Sequence, residues 1–390
     1  VDDFFETVDR KGSDSAKYKR AAAKSDHPDP IALSVADSDY ETAPVIKQAL
    51  RERVGHGAFG YAGAGERFFQ AIREWNARRY GLELEKSWIL PAPKVLTSIA
   101  ALVQALSEPG ERIAIQTPVY HVFEPLIQST GRKVAHNPLR IGDTRYEMDL
   151  KGLEAQLASG VRIVLLCSPH NPVGRVWSEQ ELSQLITLCR TYGATLLSDE
   201  IHADIIHPDR RFVSAGAFFG EYSKIVLINA PSKTFNIAGL QAAYVVAPDR
   251  HIRRRLKEAF QAMHIGAPNV LALRALEAAY EEGDGWVDAQ NVHIQRQYER
   301  LQAAFADFLP ASKIAPLEGT YLAWVDVSSS GMDGAAFTEG LYPYGVVLSP
   351  GVQFGGRSQA YVRIALSCSL SRLDEALRRM GDFCRAQMKE

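Results

Sequence analysis

The chain has 390 residues, 46% of them hydrophobic and 23% charged, with a net charge of -2. This is the mixture of a globular protein long enough for a large domain plus a smaller one. So even a balance excludes an electrostatic match to nucleic acid or an anionic membrane surface, and no run of about 18 apolar residues offers a transmembrane helix. Cys167, Cys189, Cys368 and Cys384 form no Cys-x-x-Cys pair, so neither a zinc site nor a redox motif is expected. Cys167 closes an apolar run and reads as a buried strand thiol. The segment Val1–Phe5 is acidic and lacks a charged-then-apolar signal pattern, which makes the cytoplasm the expected compartment.

In chain order, Lys11–Pro30 is polar and reads as loop. Pro44–Val54 has helical spacing (Val45, Ile46, Ala49, Leu50, Val54) and stops at Gly55. Gly57–Gly65 is glycine-rich and must be a loop. From about residue 66 to 260, short apolar runs alternate with amphipathic stretches. Strands are predicted at Ser87–Leu90, Arg112–Gln116, Arg162–Cys167, Ala194–Leu197 and Ile225–Asn229. Helices are predicted at Thr97–Leu106, Ser178–Tyr192 and His251–Phe260. Ser178 followed three residues later by Glu181 is a capping box. Such alternation predicts an α/β fold, a mainly parallel sheet with helices on both faces. Near Gly283-Asp284-Gly285 the pattern changes. A helix at Val287–Phe308, strands at Thr320–Val327 and Tyr361–Leu366, and a helix at Ser371–Met388 make a smaller α+β module. The expected division is a large domain of residues 50–282 and a small one of 1–49 with 283–390.

Ligands of an open parallel sheet bind beyond the carboxyl ends of its strands. The segments just past the predicted strands are Pro91–Leu96, Thr117–Tyr120, Ser168–Gly174, Ser198–His202 and Ala230–Lys233. Together they offer a lysine, an acid, an amide, an aromatic ring and a helix N-terminus. Pyridoxal phosphate needs that set. Its aldehyde needs an amine, its pyridine nitrogen a carboxylate, its phenolate oxygen donors, its phosphate a helix N-terminus and its ring a planar neighbour.

The sequence resembles the fold-type I pyridoxal-phosphate enzymes, the aspartate-aminotransferase superfamily, and within it the branch of MalY/PatB-type cystathionine β-lyases. The resemblance runs from Ala36-Asp37 to the last helix. It is carried by Ser232–Leu240, Ser168–Gly174, Ser198–His202, His56–Tyr61, Glu318–Trp324 and Tyr361–Leu366. It implies a mainly parallel seven-stranded sheet and a small domain. It also implies roles. Lys233 forms the Schiff base and moves the α-proton. Asp199 pairs with the pyridinium nitrogen, and Asn171 bonds the phenolate oxygen, with His202 near the same atom. Tyr120 stacks on the ring and is a catalytic candidate. The amides of Val95 and Leu96, with Ser232, hold the phosphate. Arg363 clamps the substrate's α-carboxylate, and the Ala36 backbone N–H adds to it. Tyr61 reaches across a homodimer interface to the neighbouring subunit's phosphate and substrate. No metal is implied.

The sequence departs from the family pattern at Lys94, where relatives often have glycine, at Ala230, often serine, and at Gln241, often arginine. Phosphate binding is accordingly expected to lean on backbone amides and Tyr61. Taken outside the resemblance, each residue also has a plain structural reading: a surface lysine, a helix-capping aspartate, a turn asparagine, a core tyrosine, a packed histidine. The resemblance favours a carbon–sulfur β-lyase acting on cystathionine, cysteine or a related thioether amino acid. A class I/II aminotransferase is the alternative, because the same residues serve both reactions. A non-catalytic binding protein on the same fold is a third reading, disfavoured by Lys233, Asp199 and Arg363.

Overall fold

The computed structural model describes residues 5–10, 12–142 and 145–387. Met388 and Lys11, the ends of two expected elements, lie outside them, as do Val1–Phe4 of the N-terminal reading. The central sheet contains β1 (Ile89–Ala92), β2 (Arg112–Ile115), β3 (Lys133–His136), β4 (Ile163–Cys167), β5 (Thr195–Asp199), β6 (Ile225–Asn229) and β7 (Ala243–Val246). Their order across the sheet is β1-β7-β6-β5-β4-β2-β3. Only β7 runs against its neighbours; the β2–β3, β2–β4, β4–β5 and β5–β6 pairs are parallel.

All residues of β4, β5 and β6 are buried. That is the signature of a sheet covered on both sides, and it explains why these strands read as unbroken apolar runs. Alternate residues serve opposite faces. Val164, Leu166, Leu196 and Leu227 pack with Ile46, Phe68, Trp75, Leu185 and Leu276 on one side. Ile163, Leu165, Leu197 and Val226 pack with Ile99, Leu102, Leu256 and Phe260 on the other. The helix Glu179–Thr191 begins with the expected capping box: Ser178 Oγ accepts from Glu181 N–H at 3.2 Å, and Glu181 accepts from Ser178 N–H at 2.8 Å.

A second, antiparallel sheet is built from β8 (Lys313–Ile314), β9 (Leu322–Asp326), β10 (Ser349–Pro350) and β11 (Tyr361–Ala365), in the order β8-β9-β11-β10. Its core joins Leu322, Val325, Ile364 and Val362 to Leu301, Phe305, Leu373 and Met380 of the two long helices Asp284–Phe308 and Leu370–Gln387.

Three expectations need correction. The Lys11–Pro30 stretch holds a helix, Ala16–Ala22. It looked like loop because its inward face carries a lysine: Lys17 Nζ is buried and donates to Asp39 Oδ2 at 2.8 Å and to the Asp37 carbonyl at 2.7 Å. The strand expected from Ser87 begins at Ile89, because Lys86–Trp88 forms a short 3-10 turn. The Val287–Phe308 helix starts earlier, at Asp284. The spacing also missed the helices Glu66–Tyr80 and Val270–Glu282 and the strands β3 and β7.

Candidate active site

The carboxyl ends of β1, β2, β4, β5 and β6 converge on one cavity of about 540 Å³. The antiparallel β7 enters the same edge through Gln241 and Ala242. After β1, Lys94 stands at the N-cap of the helix Val95–Leu106. It makes no side-chain cap, and the first turn carries no acidic residue. The N-terminal amides there are left to a ligand or to solvent, and the helix dipole adds partial positive charge. After β4, His170 Nε2 pairs with the Pro118 carbonyl at 2.8 Å, and Gly174 N–H donates to the His170 carbonyl at 2.9 Å. Asn171 is held between them.

β5 ends on Asp199 and Glu200, which have separate environments. Glu200 is occupied by Ser214 Oγ at 2.7 Å, Ala215 N–H at 2.9 Å and Ser198 Oγ at 3.0 Å. Asp199 lines the cavity and is only 4% exposed. Among the described residues its carboxylate accepts one hydrogen bond, from Ile201 N–H at 3.1 Å. Burial with so little compensation pushes its carboxyl up to about 7.

The loop after β6 carries Ser232 and Lys233 and is pinned on both sides. Thr234 Oγ1 donates to Asp204 Oδ2 at 2.9 Å, and Trp286 Nε1 donates to the Thr234 carbonyl at 3.2 Å. Asn236 Nδ2 donates to the carbonyls of Tyr40, at 2.7 Å, and Ser38, at 3.2 Å. Asp204 also accepts from Trp75 Nε1 at 3.1 Å and from Tyr80 OH. Lys233 Nζ donates to the Ala36 carbonyl at 2.6 Å. Desolvation lowers its pKa, helped by Arg363 and opposed by Asp37 and Asp199.

Arg363 reaches the cavity from the second sheet, where its β-register partners are Trp324 and Ser349. Its guanidinium is 2% exposed and lies 4.7 Å from the Phe354 ring centroid. Nη1 donates to Asn171 Oδ1 at 3.0 Å and Nη2 to the Ser34 carbonyl at 2.6 Å, while Nε has no partner. Among the described residues no carboxylate pairs with it. Burial lowers its pKa to about 10. His202 is buried, with Nδ1 unpartnered, and desolvation pulls it down to about 3, with Lys233 and Arg363 reinforcing the effect.

The cavity therefore collects Ala36, Val95, Leu96, Tyr120, Asn171, Asp199, His202, Ser232, Lys233 and Arg363, together with Lys94, Ala230 and Gln241. Tyr61 is absent from it and is fully exposed in the glycine-rich loop. Sequence reasoning missed Phe354, whose ring lies beside Arg363; it belongs to no motif, and only the tertiary fold brings it there. Ser34, whose carbonyl holds Arg363, lies in the segment Leu33–Asp39, which the family resemblance places at the border of the substrate region. Sequence reasoning also missed Arg20 and Lys24 at the cavity wall; their spacing of four residues was the available signal, hidden by reading the segment as loop.

A parallel-sheet edge with a desolvated lysine, a buried carboxyl and an unpaired arginine defines an amino-acid-processing class of site, and kinship agrees. The family model for aminotransferase class I and II matches residues 28–380, and the chain belongs to that family. It is 35% identical over 382 residues to cystathionine beta-lyase PatB of Bacillus subtilis, covering 97% of this chain and 98% of that one. It is 30% identical over 396 residues to protein MalY of Escherichia coli, covering 98% and 99%. Among solved structures, cystalysin from Treponema denticola, which contains a pyridoxal 5'-phosphate cofactor, superposes with a TM-score of 0.95 at 28% identity, covering 99% of each chain.

Proposed function

We propose that this protein is a pyridoxal-phosphate-dependent carbon–sulfur β-lyase. It cleaves cystathionine, cysteine or a related thioether amino acid to a thiol, pyruvate and ammonia. The observation that carries the reading is the placement of Lys233, Asp199, Asn171 and Arg363 around one cavity. The kinship to PatB and MalY favours the lyase over the transaminase reaction.

The residues fit the cofactor on their own chemistry. Asp199 is a buried carboxyl with one hydrogen bond, and a cationic ring N–H would stabilise its charged form. Asn171 gives its oxygen to Arg363, which leaves its NH₂ for a phenolate oxygen, with His202 beside it. The amides of Val95 and Leu96, with Ser232 and the charge of Lys94, suit a phosphate. Tyr120 offers a ring face. When bound, the cofactor supplies an electron sink for the pair left on the substrate's α-carbon.

The chain's own groups do the rest. Arg363 grips the α-carboxylate with charge-assisted bonds and so orients the Cα–H bond. The Ala36 segment borders the same group. Lys233, its pKa lowered by desolvation, takes the α-proton. The net reaction consumes one water and returns thiol, pyruvate and ammonium.

The large domain is residues 50–282, with 1–49 and 283–390 forming the small one. The core around Leu322, Ile364 and Leu301 supports a separate unit around the second sheet, whereas Ile46 and Ala49 of the helix Pro44–Gly55, with Trp286 and Val287, pack into the core beside the central sheet. The protein works as a homodimer in the cytoplasm, with Tyr61 serving the partner's site. Full exposure of Tyr61 beside exposed Phe59 and Val54 supports the first point, and four buried free cysteines support the second. The test is incubation with cystathionine and no keto acid: pyruvate and ammonia should accumulate together. Product appearing only after a keto acid is added would mean transamination.

A further inference from the structure

The cavity lining carries five cationic side chains, Arg20, Lys24, Lys94, Lys233 and Arg363, and a single carboxylate, Asp199. Its two histidines do not add charge at neutral pH: burial lowers His121 to about 4 and His202 to about 3. Lys233 and Arg363 have roles in the chemistry, and Lys94 stands at the helix N-terminus that suits the phosphate. Arg20 and Lys24 are left over.

Both come from the helix Ala16–Ala22 and its C-terminal turn, one helical turn apart, so they share a face. Their base is fixed. Ala21 packs on Ala32 and Val347. Lys17 is locked to Asp39, and Ser25 Oγ donates to the Tyr342 carbonyl at 2.6 Å. The charged heads are otherwise uncommitted. Among the described residues Arg20 has neither ion pair nor hydrogen bond, and Lys24 has only the Tyr342 ring, 5.5 Å from its Nζ. Arg20 lines the same cavity as Ser34, Tyr120, His121 and Arg363, and Tyr120 and His121 feel its charge as they feel that of Arg363.

We propose that Arg20 and Lys24 select thioether amino acids whose sulfur-linked chain ends in a carboxylate. The inference rests on the lyase reading and narrows it. Two cations on a fixed base at the cavity wall attract such an anion and leave a neutral or cationic chain end without a partner. Because both heads are exposed, the effect is modest and screened by salt.

The test compares S-(2-carboxyethyl)-cysteine with S-propyl-cysteine, matched in length, by pyruvate release from the holoenzyme. The wild type should favour the carboxylate compound by roughly tenfold in kcat/KM, the scale of two exposed ion pairs. The preference should lie in KM and shrink at high ionic strength. In the double variant Arg20→Ala, Lys24→Ala the ratio should fall to near one. In Arg20→Glu, Lys24→Glu it should invert, with S-(2-aminoethyl)-cysteine now preferred. Equal turnover of the two compounds by the wild type, or a parallel loss on both in the variants, overturns the selection and leaves the lyase intact. No pyruvate from either compound would overturn the lyase reading and this inference with it.

Discussion

Replacing Arg363 with methionine should make the protein a far poorer enzyme without making it less stable. The guanidinium is buried with no carboxylate against it, and its pKa stands at about 10 instead of 12.5. At about 1.4 kcal/mol per pH unit, keeping it charged at neutral pH costs the folded protein about 3 kcal/mol. Methionine of similar length removes that cost. It leaves Asn171 Oδ1 and the Ser34 carbonyl without their charged donor, at about 1.5 kcal/mol each. The two effects offset, so the melting temperature of the cofactor-free protein should hold steady. Activity should move the other way. Two charge-assisted hydrogen bonds to the substrate's carboxylate are worth about 3 to 5 kcal/mol together, a loss of roughly 150- to 5000-fold in kcat/KM. The assays are thermal melts and pyruvate release over a range of substrate. A melting point lower by five degrees or more with KM unchanged would show that Arg363 is a structural residue and would refute its role as the carboxylate clamp.

Lys233→Ala should remove the absorption band of lysine-linked cofactor and abolish turnover; survival of that band would move the assignment to another amine. Asp199→Asn should lower kcat by at least about 100-fold, since one partner of a buried charged pair is removed, and unchanged kcat would detach Asp199 from the cofactor's ring. His170 is held near 4 in the folded chain, below its unfolded value of about 6.5. Between those values only the unfolded state takes up the proton, so the group lowers stability as pH falls through that window. His170→Gln should therefore reduce the loss of stability between pH 6.5 and 4 by about 1.4 kcal/mol per pH unit, read from urea midpoints of the cofactor-free protein at several pH values; an identical slope would show that the imidazole is not buried neutral. Asp204→Ala strips the acceptor from Trp75, Tyr80 and Thr234. It should cost about 3 kcal/mol and broaden the lysine-linked band as the Lys233 loop loosens; a melt matching the wild type would contradict the pinning.

The parts legible in the sequence share one physical property: their pattern is local. β4 and β6 are covered on both faces and so read as plain apolar runs, and the Ser178–Glu181 cap closes within one turn. The site motifs sit in the few residues after each strand, where the topology of a parallel sheet forces them together. The features that stayed hidden depend on distant partners. The helix Ala16–Ala22 buries Lys17 against Asp39, a pairing that polarity alone disguises. Phe354 matters only because β11 carries Arg363 beside it. Glu66–Tyr80 has an interior built from Phe68, Ile72 and Trp75 but a surface dense in charge, which diluted its periodicity. Tyr61 is the reverse case. The motif singles it out, yet within one protomer it is exposed and does not line the cavity.

The lyase and the transaminase differ in where electrons and protons go once the α-proton has left, and a turnover count reads that directly. Holoenzyme mixed with excess cystathionine and no keto acid should release thiol, pyruvate and ammonia in equal amounts, continuing for hundreds of turnovers per site. Amino transfer that halts after about one equivalent per site, with turnover restored only by a keto acid, would contradict the lyase and establish the transaminase in its place.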